Sequence, residues 1–471
     1  MLLKSVTLKN TYCFSQLHIE FDYKKSLISV ILADQGCGKT AVIKNIFHAL
    51  SWFPARLKDM RYAGIVLADW EIKAGQRSAS TEVCVQIAEE IGQLSEVDHV
   101  AATDLSLCHW QLFKNLNAQD VGMSRVETEQ LEQLITRYQR TLKQDSLQTL
   151  PLLAYYPETR FVHEINLLNK NNPAQFNLHN AYELTAVPFT TFNRFFEWLR
   201  EITDIENAKS AYYFQQLLGP SAQQMLNQQA SSTFFHDALL QARTEQHSPC
   251  LHALKQSLCT VFPELSELYL VYEPKLQLML EYQNQKYSFQ QLPHHLKVWI
   301  ALVGDIVRRL CLLNPLSLYP QQEGYGIVLI DQIDAELDSD ACRSILSRLQ
   351  HAFPQLQFIV SASDPAILEN AEDYQCLRLK SNGIFPIELD AHWQQHQTHY
   401  LELAPVAEPH APAETAEQLP ETTALDHHAA DQDVQQLFAQ IQALNLTQQA
   451  ALSRLLAEDN DRKSNIFYPE C

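Results

Sequence analysis

The sequence predicts an α/β fold organised around a phosphate-binding loop. Near the N-terminus an apolar strand, a loop with closely spaced glycines and a helix follow one another, which is the order that such a loop requires. Much later an apolar strand over 326–330 ends at Asp331, and a helix over 339–352 and a strand over 357–361 come after it. Because these two blocks lie far apart in the chain, we expect a nucleotide fold that a long inserted segment splits.

The N-terminal block contains the strongest local motif. Its apolar pattern predicts strands over 3–8, 17–21 and 27–32 and a helix over 40–52. Between the last strand and the helix lie Ala33, Asp34, Gln35, Gly36, Cys37, Gly38, Lys39 and Thr40. Backbone N–H groups at a helix N-terminus, a lysine and a hydroxyl are the groups that bind nucleotide phosphates and Mg²⁺. These eight residues therefore predict an ATP-binding loop, in which Ala33 replaces the usual first glycine.

The strand over 326–330 supplies the expected partner of this loop. It ends in Asp331, and a carboxylate at the end of a buried strand is a typical Mg²⁺ ligand in phosphate-loop ATPases. We expect Mg²⁺ to be held by the hydroxyl of Thr40 and by Asp331, directly or through water. The alternative interpretation is an ordinary buried strand with a capping aspartate. ATP and Mg²⁺ are the predicted cofactors.

The rest of the chain suggests five regions. We predict an N-terminal ATPase lobe over 1–95, a mainly helical insertion over 96–254 and a C-terminal lobe over 255–400. Within the insertion, helical spacing is clearest over 126–145, and 187–245 is again helical; in the C-terminal lobe, 265–289 alternates like a hairpin. Residues 401–433 are acidic and rich in Ala and Pro, which predicts a linker. An amphipathic pattern returns over 434–471. This helical tail is either a docking or oligomerisation segment, or a helix that folds back on its own domain.

Composition limits the classes of function. Lys and Arg number 35 against 55 Asp and Glu, so the formal net charge of −20 argues against a protein that coats nucleic acid. The ten cysteines contain no Cys-x-x-Cys pair, which disfavours a zinc ribbon and a disulfide framework. No apolar run approaches the roughly 18 residues of a membrane span. We expect a cytoplasmic protein with no membrane contact.

Several motifs outside the phosphate loop carry a family resemblance. They are Tyr155-Tyr156-Pro157 with Arg160, Phe195-Phe196-Glu197-Trp198 with Glu206-Asn207, Ala301-Leu302-Val303-Gly304-Asp305-Ile306 with Arg308-Arg309-Leu310 and Asn314-Pro315, and Ile330-Asp331-Gln332-Ile333-Asp334. The last resembles an ABC-type, SMC/RecF-like ATPase head. The whole set resembles a bacterial family of predicted ATP-binding proteins that includes the ATPase subunits of Septu and retron-Septu anti-phage systems. The likeness runs from residue 1 to about residue 370.

The resemblance implies both a fold and partners. The fold would be an ABC/SMC-like ATPase head split by a largely helical insertion, with a tethered helical element at the C-terminus. The protein would form a homo-oligomer, a dimer or higher. An HNH-type nuclease would be its partner, and contact with nucleic acid would be indirect, through that nuclease.

Three parts of the pattern that this family implies are altered. The glutamate that positions the attacking water is replaced by Gln332, which cannot act as a base. The signature that completes the site of a second subunit falls on Leu292-Pro293-His294-His295, where proline replaces serine and histidine replaces glycine. The switch histidine falls on Ser363. Because phosphoryl transfer depends on positioning and electrostatics, these changes together predict little or no ATP hydrolysis.

The sequence therefore leads to one functional hypothesis and two alternatives. The hypothesis is an ATP-binding, hydrolysis-poor regulatory scaffold of a bacterial anti-phage complex. The first alternative is an active SMC/RecF-like ATPase for DNA repair or DNA-end recognition, for which Arg56, Lys58 and Arg61 are the modest basic candidate. The second is an interaction protein that has lost nucleotide binding. A glutamine at position 332 alone is also what a laboratory trapping substitution leaves, but that would not explain the signature and switch changes.

Overall fold

The computed structural model describes residues 1–23, 26–92, 106–145, 148–162, 178–182, 192–217, 248–335, 337–369, 371, 373–380 and 383–387. All of them belong to the first of two units of the chain, Met1–Leu401. The second unit, Glu402–Cys471, lies outside the described residues. The predicted linker over 401–433 and the predicted helical tail over 434–471 therefore also lie outside them.

The described part contains strands that form three sheets. The strands are β1 (Leu2–Thr11), β2 (Phe14–Glu20), β3 (Ile28–Leu32), β4 (Ser78–Gln86), β5 (Leu107–Leu116), β6 (Gly122–Glu127), β7 (Leu152–Tyr156), β8 (Leu265–Val271), β9 (Gln277–Tyr282), β10 (Gln285–Ser288), β11 (Gly326–Ile330), β12 (Leu356–Ala362), β13 (Gln375–Lys380) and β14 (Gly383–Pro386). The first sheet has the order β2-β1-β4-β5-β6, the second β10-β9-β8 and the third β14-β13-β3-β12-β11-β7.

Helices connect and cover these sheets. They are α1 (Lys39–Leu50), α2 (Trp52–Lys58), α3 (Glu129–Gln144), α4 (Asn193–Leu217), α5 (Pro249–Val261), α6 (His294–Leu313), α7 (Pro320–Glu323) and α8 (Ser339–Ala352). Short 3-10 turns lie at Asp69–Glu71, Glu89–Ile91, Leu178–Tyr182, Phe289–Gln291 and Pro365–Leu368. None of the helices in this described part is long and apolar enough to cross a membrane.

The third sheet is the frame of the phosphate loop. Strands β13, β3, β12, β11 and β7 run parallel, and β14 adds an antiparallel edge. Every residue of β3, β11 and β12 is buried, because a parallel sheet is covered on both faces; this is why these strands are continuous apolar runs in the sequence. At Gly326 an added Cβ would lie 2.1 Å from the carbonyl oxygen of Leu152 in β7, so this position requires glycine.

The first sheet packs against α1, the helix that follows the phosphate loop. The indole Nε1 of Trp110 in β5 donates to the carbonyl of Ala49 at 2.8 Å, and Thr81 in β4 donates to the side chain of Asn45 at 3.0 Å. Alternation along β5 buries Cys108, Trp110 and Leu112 towards the core. The antiparallel sheet thereby fixes the angle at which α1 leaves the loop.

The range predicted as a mainly helical insertion, 96–254, also contains three strands that the sequence pattern did not predict. Within that range β5 and β6 extend the first sheet and β7 forms an edge of the third, while α3, α4 and the start of α5 are helical. Strands β5 and β6 were not predicted because the polar residues on their solvent-facing side weaken the apolar pattern. The domain boundaries themselves stay predictions.

Elsewhere the predicted elements agree with the structure. Strand 326–330 and helix 339–352 have the predicted bounds, and the hairpin predicted over 265–289 is the three-stranded sheet of β8, β9 and β10. The helix predicted over 126–145 begins at Glu129, after β6. Of the helical region predicted over 187–245, α4 is described and the remainder lies outside the described residues.

Helix α6 is buried over most of its length and anchors the back of the third sheet. Gly304 allows the closest approach, since an added Cβ would lie 2.3 Å from the ring of Phe195 in α4. One turn of α6 carries a buried ion cluster, in which Arg308 and Arg309 pair with Asp305 at 2.9 and 2.7 Å. Burial opposes ionisation of Asp305, but the two guanidinium groups hold the pKa of its carboxyl well below the usual range.

This cluster ties α6 to the edge strand of the nucleotide sheet. The hydroxyl of Tyr156, the last residue of β7, donates to Asp305 at 3.0 Å, and Arg309 donates to the carbonyl of Ala181 at 2.7 Å. The family motifs that contain Tyr156, Asp305 and Arg309 are therefore one buried network. It holds the carboxyl end of β7 beside the site described next.

Candidate nucleotide-binding site

The predicted phosphate loop is present between β3 and α1. Gly36 and Gly38 have φ of 79° and 92°, and α1 begins directly after Gly38, at Lys39. This left-handed backbone is available to glycine at little cost and turns the N-terminal N–H groups of α1 towards the loop. At Gly38 an added Cβ would also meet the ring of Phe14 at 2.8 Å. The loop is thus packed against the β1–β2 turn.

Lys39 is buried, and its ammonium group is held inside the loop. Its Nζ donates to the carbonyl oxygen of Ala33 at 2.5 Å, to that of Asp34 at 3.2 Å and to Oγ of Ser363 at 2.8 Å. Two of these acceptors are neutral loop carbonyls and the third is a hydroxyl. A phosphate oxygen would give the ammonium a charged acceptor, which makes a stronger hydrogen bond.

Asp331 follows β11 and is fully buried. Its Oδ1 accepts from Oγ of Ser361 in β12 at 2.5 Å, whereas no described residue donates a hydrogen bond to its Oδ2. A buried carboxylate oxygen without a donor is costly unless a cation or water approaches it. Thr40, in the first turn of α1, is exposed and offers a hydroxyl. Oδ2 of Asp331 and the exposed hydroxyl of Thr40 are hard oxygen ligands of the kind that Mg²⁺ requires.

Gln332 occupies the position where the family pattern implies the water-activating glutamate. Its φ is +45°, and its N–H donates to Oγ of Ser361 at 2.8 Å. Arg160 fixes this bend from the other side, because it donates to the carbonyl of Asp331 at 2.6 Å and to that of Gln332 at 2.9 Å. The carboxamide is held at the end of β11, but it cannot accept a proton from water.

Tyr155 lies on β7, the strand next to β11, and close to the carboxylate of Asp331. Burial raises the pKa of its hydroxyl, and the negative charge of Asp331 raises it further. Its ring also packs against Phe47 of α1, with the ring centroids 4.8 Å apart. Tyr155 therefore stays protonated and adds no negative charge beside Asp331.

Ser363 is placed where the family pattern implies the switch histidine. Its hydroxyl accepts from Lys39, while its N–H and that of Asp364 donate to Oδ2 of Asp334 at 2.7 Å each. Asp334 thus clamps the segment after β12 to the segment after β11. No role was predicted for Asp334 or Ser361, although both lie close to predicted site residues at the ends of buried strands.

The signature-equivalent residues lie at the N-terminus of α6. The helix begins at His294, and Pro293 precedes it without a side-chain hydrogen bond to the first turn. Pro293, His294 and His295 are exposed. The hydroxyl and the small residue that the family signature implies are both absent from this segment.

The three basic residues proposed for DNA contact in the first alternative each lie near an acidic or aromatic side chain. Arg56 lies 3.9 Å from a carboxylate oxygen of Glu132, and Arg61 pairs with Asp59 at 2.8 Å. Lys58 lies 5.6 Å from the centroid of the Tyr62 ring. These contacts reduce the positive field that a nucleic-acid channel would need.

Comparison with known proteins assigns the family. A model of the AAA_23 family, described as an AAA domain, matches residues 5–257, which is more than half of the chain. The chain belongs to this AAA domain family. The predicted fold class, an α/β ATPase fold with a phosphate loop, is confirmed by this match and by the third sheet.

Two curated relatives resemble this AAA domain protein over most of its length. It is 26% identical over 402 residues to the retron Vc95 probable ATPase of Vibrio cholerae. The aligned region covers 79% of this chain and 72% of the relative. It is 25% identical over 407 residues to the retron Ec83 probable ATPase of Escherichia coli, with 80% and 71% covered.

Solved structures of SMC heads are among those similar to this chain. One is the SMC head bound to the C-winged helix domain of ScpA, with a TM-score of 0.44 and 10% identity over 84% of this chain and 100% of that one. Another is the SMC head domain from Thermotoga maritima, with a TM-score of 0.37 and 11% identity over 82% of this chain and 100% of that one.

Proposed function

We propose that this AAA domain protein is the ATP-binding, hydrolysis-poor regulatory subunit of a bacterial anti-phage defence complex that acts with an HNH-type nuclease. Its similarity to two retron probable ATPases supports a role in a defence system. The observation that carries the rest is local. Lys39 is buried and donates to loop carbonyls, Asp331 is buried with one oxygen to which no described residue donates, and the next residue, Gln332, has no carboxylate.

The chain's own groups would bind ATP in a simple exchange. Lys39 would release Ser363 and one or both loop carbonyls and donate to phosphate oxygens, and the N–H groups at the start of α1 would donate to the same phosphates. Thr40 and Oδ2 of Asp331 would hold Mg²⁺. Bound Mg²⁺ would neutralise phosphate charge. With Gln332 in the glutamate position, no described side chain of the family's pattern withdraws a proton from water.

ATP would then act as a structural ligand. A ligand that binds only the folded state stabilises it by about 2.7 kcal/mol at a hundredfold excess over Kd. Release of Ser363 by Lys39 would remove one hydrogen bond from the segment after β12 while the bonds to Asp334 remain, so the position of Ser363 would respond to bound phosphate. In the proposed complex the chain forms homo-oligomers, and the nuclease, rather than this protein, contacts nucleic acid. The net charge of −20 suits a protein-binding surface better than a DNA clamp.

Single-turnover chemistry on the purified full chain tests the proposal. Nucleotide is extracted from the protein, labelled ATP with Mg²⁺ is added, and bound and cleaved nucleotide are followed over time, with Lys39→Ala as the control. We expect ATP to be retained uncleaved by the native chain and not retained by the variant. Steady release of ADP that depends on Lys39 would overturn the hydrolysis-poor role and favour the active ATPase.

A further inference from the structure

An aromatic pair lies beside the phosphate loop and has no part in the site described so far. Trp70, in the 3-10 turn Asp69–Glu71, is 66% exposed. The ring of Tyr12 meets it edge-on, with the ring centroids 5.6 Å apart and an interplanar angle of 82°. Nζ of Lys44 lies over the indole, 4.9 Å from its centroid. The indole therefore keeps a large solvent-facing surface while two neighbours fix its position.

The pair is held by a buried carboxylate. Glu71 is fully buried; its Oε1 accepts from the hydroxyl of Tyr12 at 2.8 Å and its Oε2 accepts from the N–H of Ala68 at 3.0 Å. The backbone N–H of Tyr12 donates to the carbonyl of Glu71 at 2.7 Å. Lys44 approaches Glu71 at 3.9 Å. These contacts pre-organise the exposed ring, so a ligand that stacks on it would pay little ordering entropy.

The position of the pair relative to the loop follows from two contacts. Cys13 and Phe14, which follow Tyr12, would touch a Cβ at Gly38 at 3.1 and 2.8 Å, so the turn that carries Tyr12 lies on the phosphate loop. On the other side, Lys44 is five residues beyond Lys39, which is about 7.5 Å along the axis of α1. Trp70 thus contacts both the turn that packs on the phosphate loop and the side chain of Lys44 from the second turn of α1.

We propose that Trp70, supported by Tyr12 and Lys44, is the stacking platform for the base of the nucleotide whose phosphates Lys39 binds. Aromatic side chains stack on bases through their faces, and a purine offers the larger face. The ligand class is therefore a purine nucleoside triphosphate. This inference rests on nucleotide binding as proposed above and adds which part of the nucleotide the protein recognises.

The experiment separates the base from the phosphates. Affinities for ATP and for inorganic tripolyphosphate, each with Mg²⁺, are measured by calorimetry on the full chain and on Trp70→Ala, Trp70→Phe and Tyr62→Ala. Tyr62 is the matched control, because it is an aromatic ring that is 50% exposed and also lies under a lysine, but after α2. Circular dichroism checks that each variant is folded.

We expect Trp70→Ala to weaken ATP binding about tenfold and to leave tripolyphosphate binding within about twofold. Trp70→Phe should retain most of the ATP affinity, and Tyr62→Ala should change neither ligand. Tryptophan fluorescence should be quenched by ATP but not by tripolyphosphate in the native chain, and this difference should disappear in Trp70→Phe.

Two different failures can be told apart. An unchanged ratio of ATP to tripolyphosphate affinity in Trp70→Ala, with binding that still requires Lys39, would overturn the base platform alone. Binding of neither ligand, or binding that Lys39→Ala leaves intact, would overturn the proposed nucleotide site and the platform with it.

Discussion

The two sides of the nucleotide site differ in what their residues can do. On the phosphate side, Lys39 donates two hydrogen bonds to loop carbonyls and one to the hydroxyl of Ser363, and no described residue donates to one buried oxygen of Asp331, so both side chains have groups that a ligand would engage. On the water side, Gln332 and Ser363 are held by equally good hydrogen bonds but carry no base. Under the proposed function, a well-ordered site is therefore not enough for hydrolysis, and the chemical identity of these side chains would separate binding from turnover.

The largest expected effect is on the phosphate side. Lys39→Ala should weaken ATP binding by about 100-fold, since it removes charge-assisted hydrogen bonds worth roughly 1.5–3 kcal/mol each. Calorimetry with Mg·ATP measures this, with Lys58→Ala as a control for loss of a lysine from the surface. An affinity within threefold of the native value would show that the loop does not hold the phosphates.

The second effect concerns the metal. Asp331→Asn should weaken binding of ATP about tenfold in the presence of Mg²⁺ and leave it unchanged in excess EDTA, because the amide keeps the bond to Ser361 but loses the charge that attracts the cation. The readout is the ratio of the two affinities. An equal loss in both buffers would indicate damage to the fold instead of loss of a metal ligand.

A smaller effect should come from the junction of the two sides. Ser363→Ala removes an acceptor that holds Lys39 in the nucleotide-free loop, so the variant should bind ATP two- to fivefold more tightly, as expected for a single net hydrogen bond of about 1 kcal/mol or less. Titration of the native chain and the variant side by side measures the shift. Weaker binding by Ser363→Ala would mean that the hydroxyl contacts the nucleotide instead of competing with it.

The smallest effect is expected on the water side. Gln332→Glu alone should leave the single-turnover rate of ATP cleavage within about twofold of the native rate, because the signature and switch positions stay altered. Rapid quench with labelled ATP gives the rate. Turnover near about one per second, at the low end of ordinary enzyme rates, would show that a single missing carboxylate accounts for the whole difference between the two sides.

Local motifs were well predicted because their chemistry is contiguous. The phosphate loop, the apolar strand before Asp331 and the helix over 339–352 each depend on residues within one or two turns of each other, and their bounds agree with the structure. To recognise that Gln332 stands in the glutamate position, only the end of that strand had to be located. A resemblance to known motifs then extended these local patterns to a fold class.

Contacts between segments that are distant in the sequence were harder to predict. Strands β5 and β6 were predicted as part of a helical insertion, because most of their residues are exposed or half-buried and the apolar period is weak. Tyr156, Asp305 and Arg309 were recognised as parts of separate motifs, but the buried network that joins them depends on how α6 packs against β7.

The sequence by itself determined which side chains carry the charges and hydroxyl groups that the proposed phosphate and Mg²⁺ site would use, and that position 332 lacks a carboxylate, since side-chain chemistry is set by residue type. Only the tertiary structure decided that Asp334 clamps the segment containing Ser363, that Arg160 fixes the carbonyls of Asp331 and Gln332, and that Trp70 and Tyr12 meet beside the loop. The physical reason is sequence separation. Contacts between distant segments form when sheets and helices pack, and no local pattern encodes the distance between them.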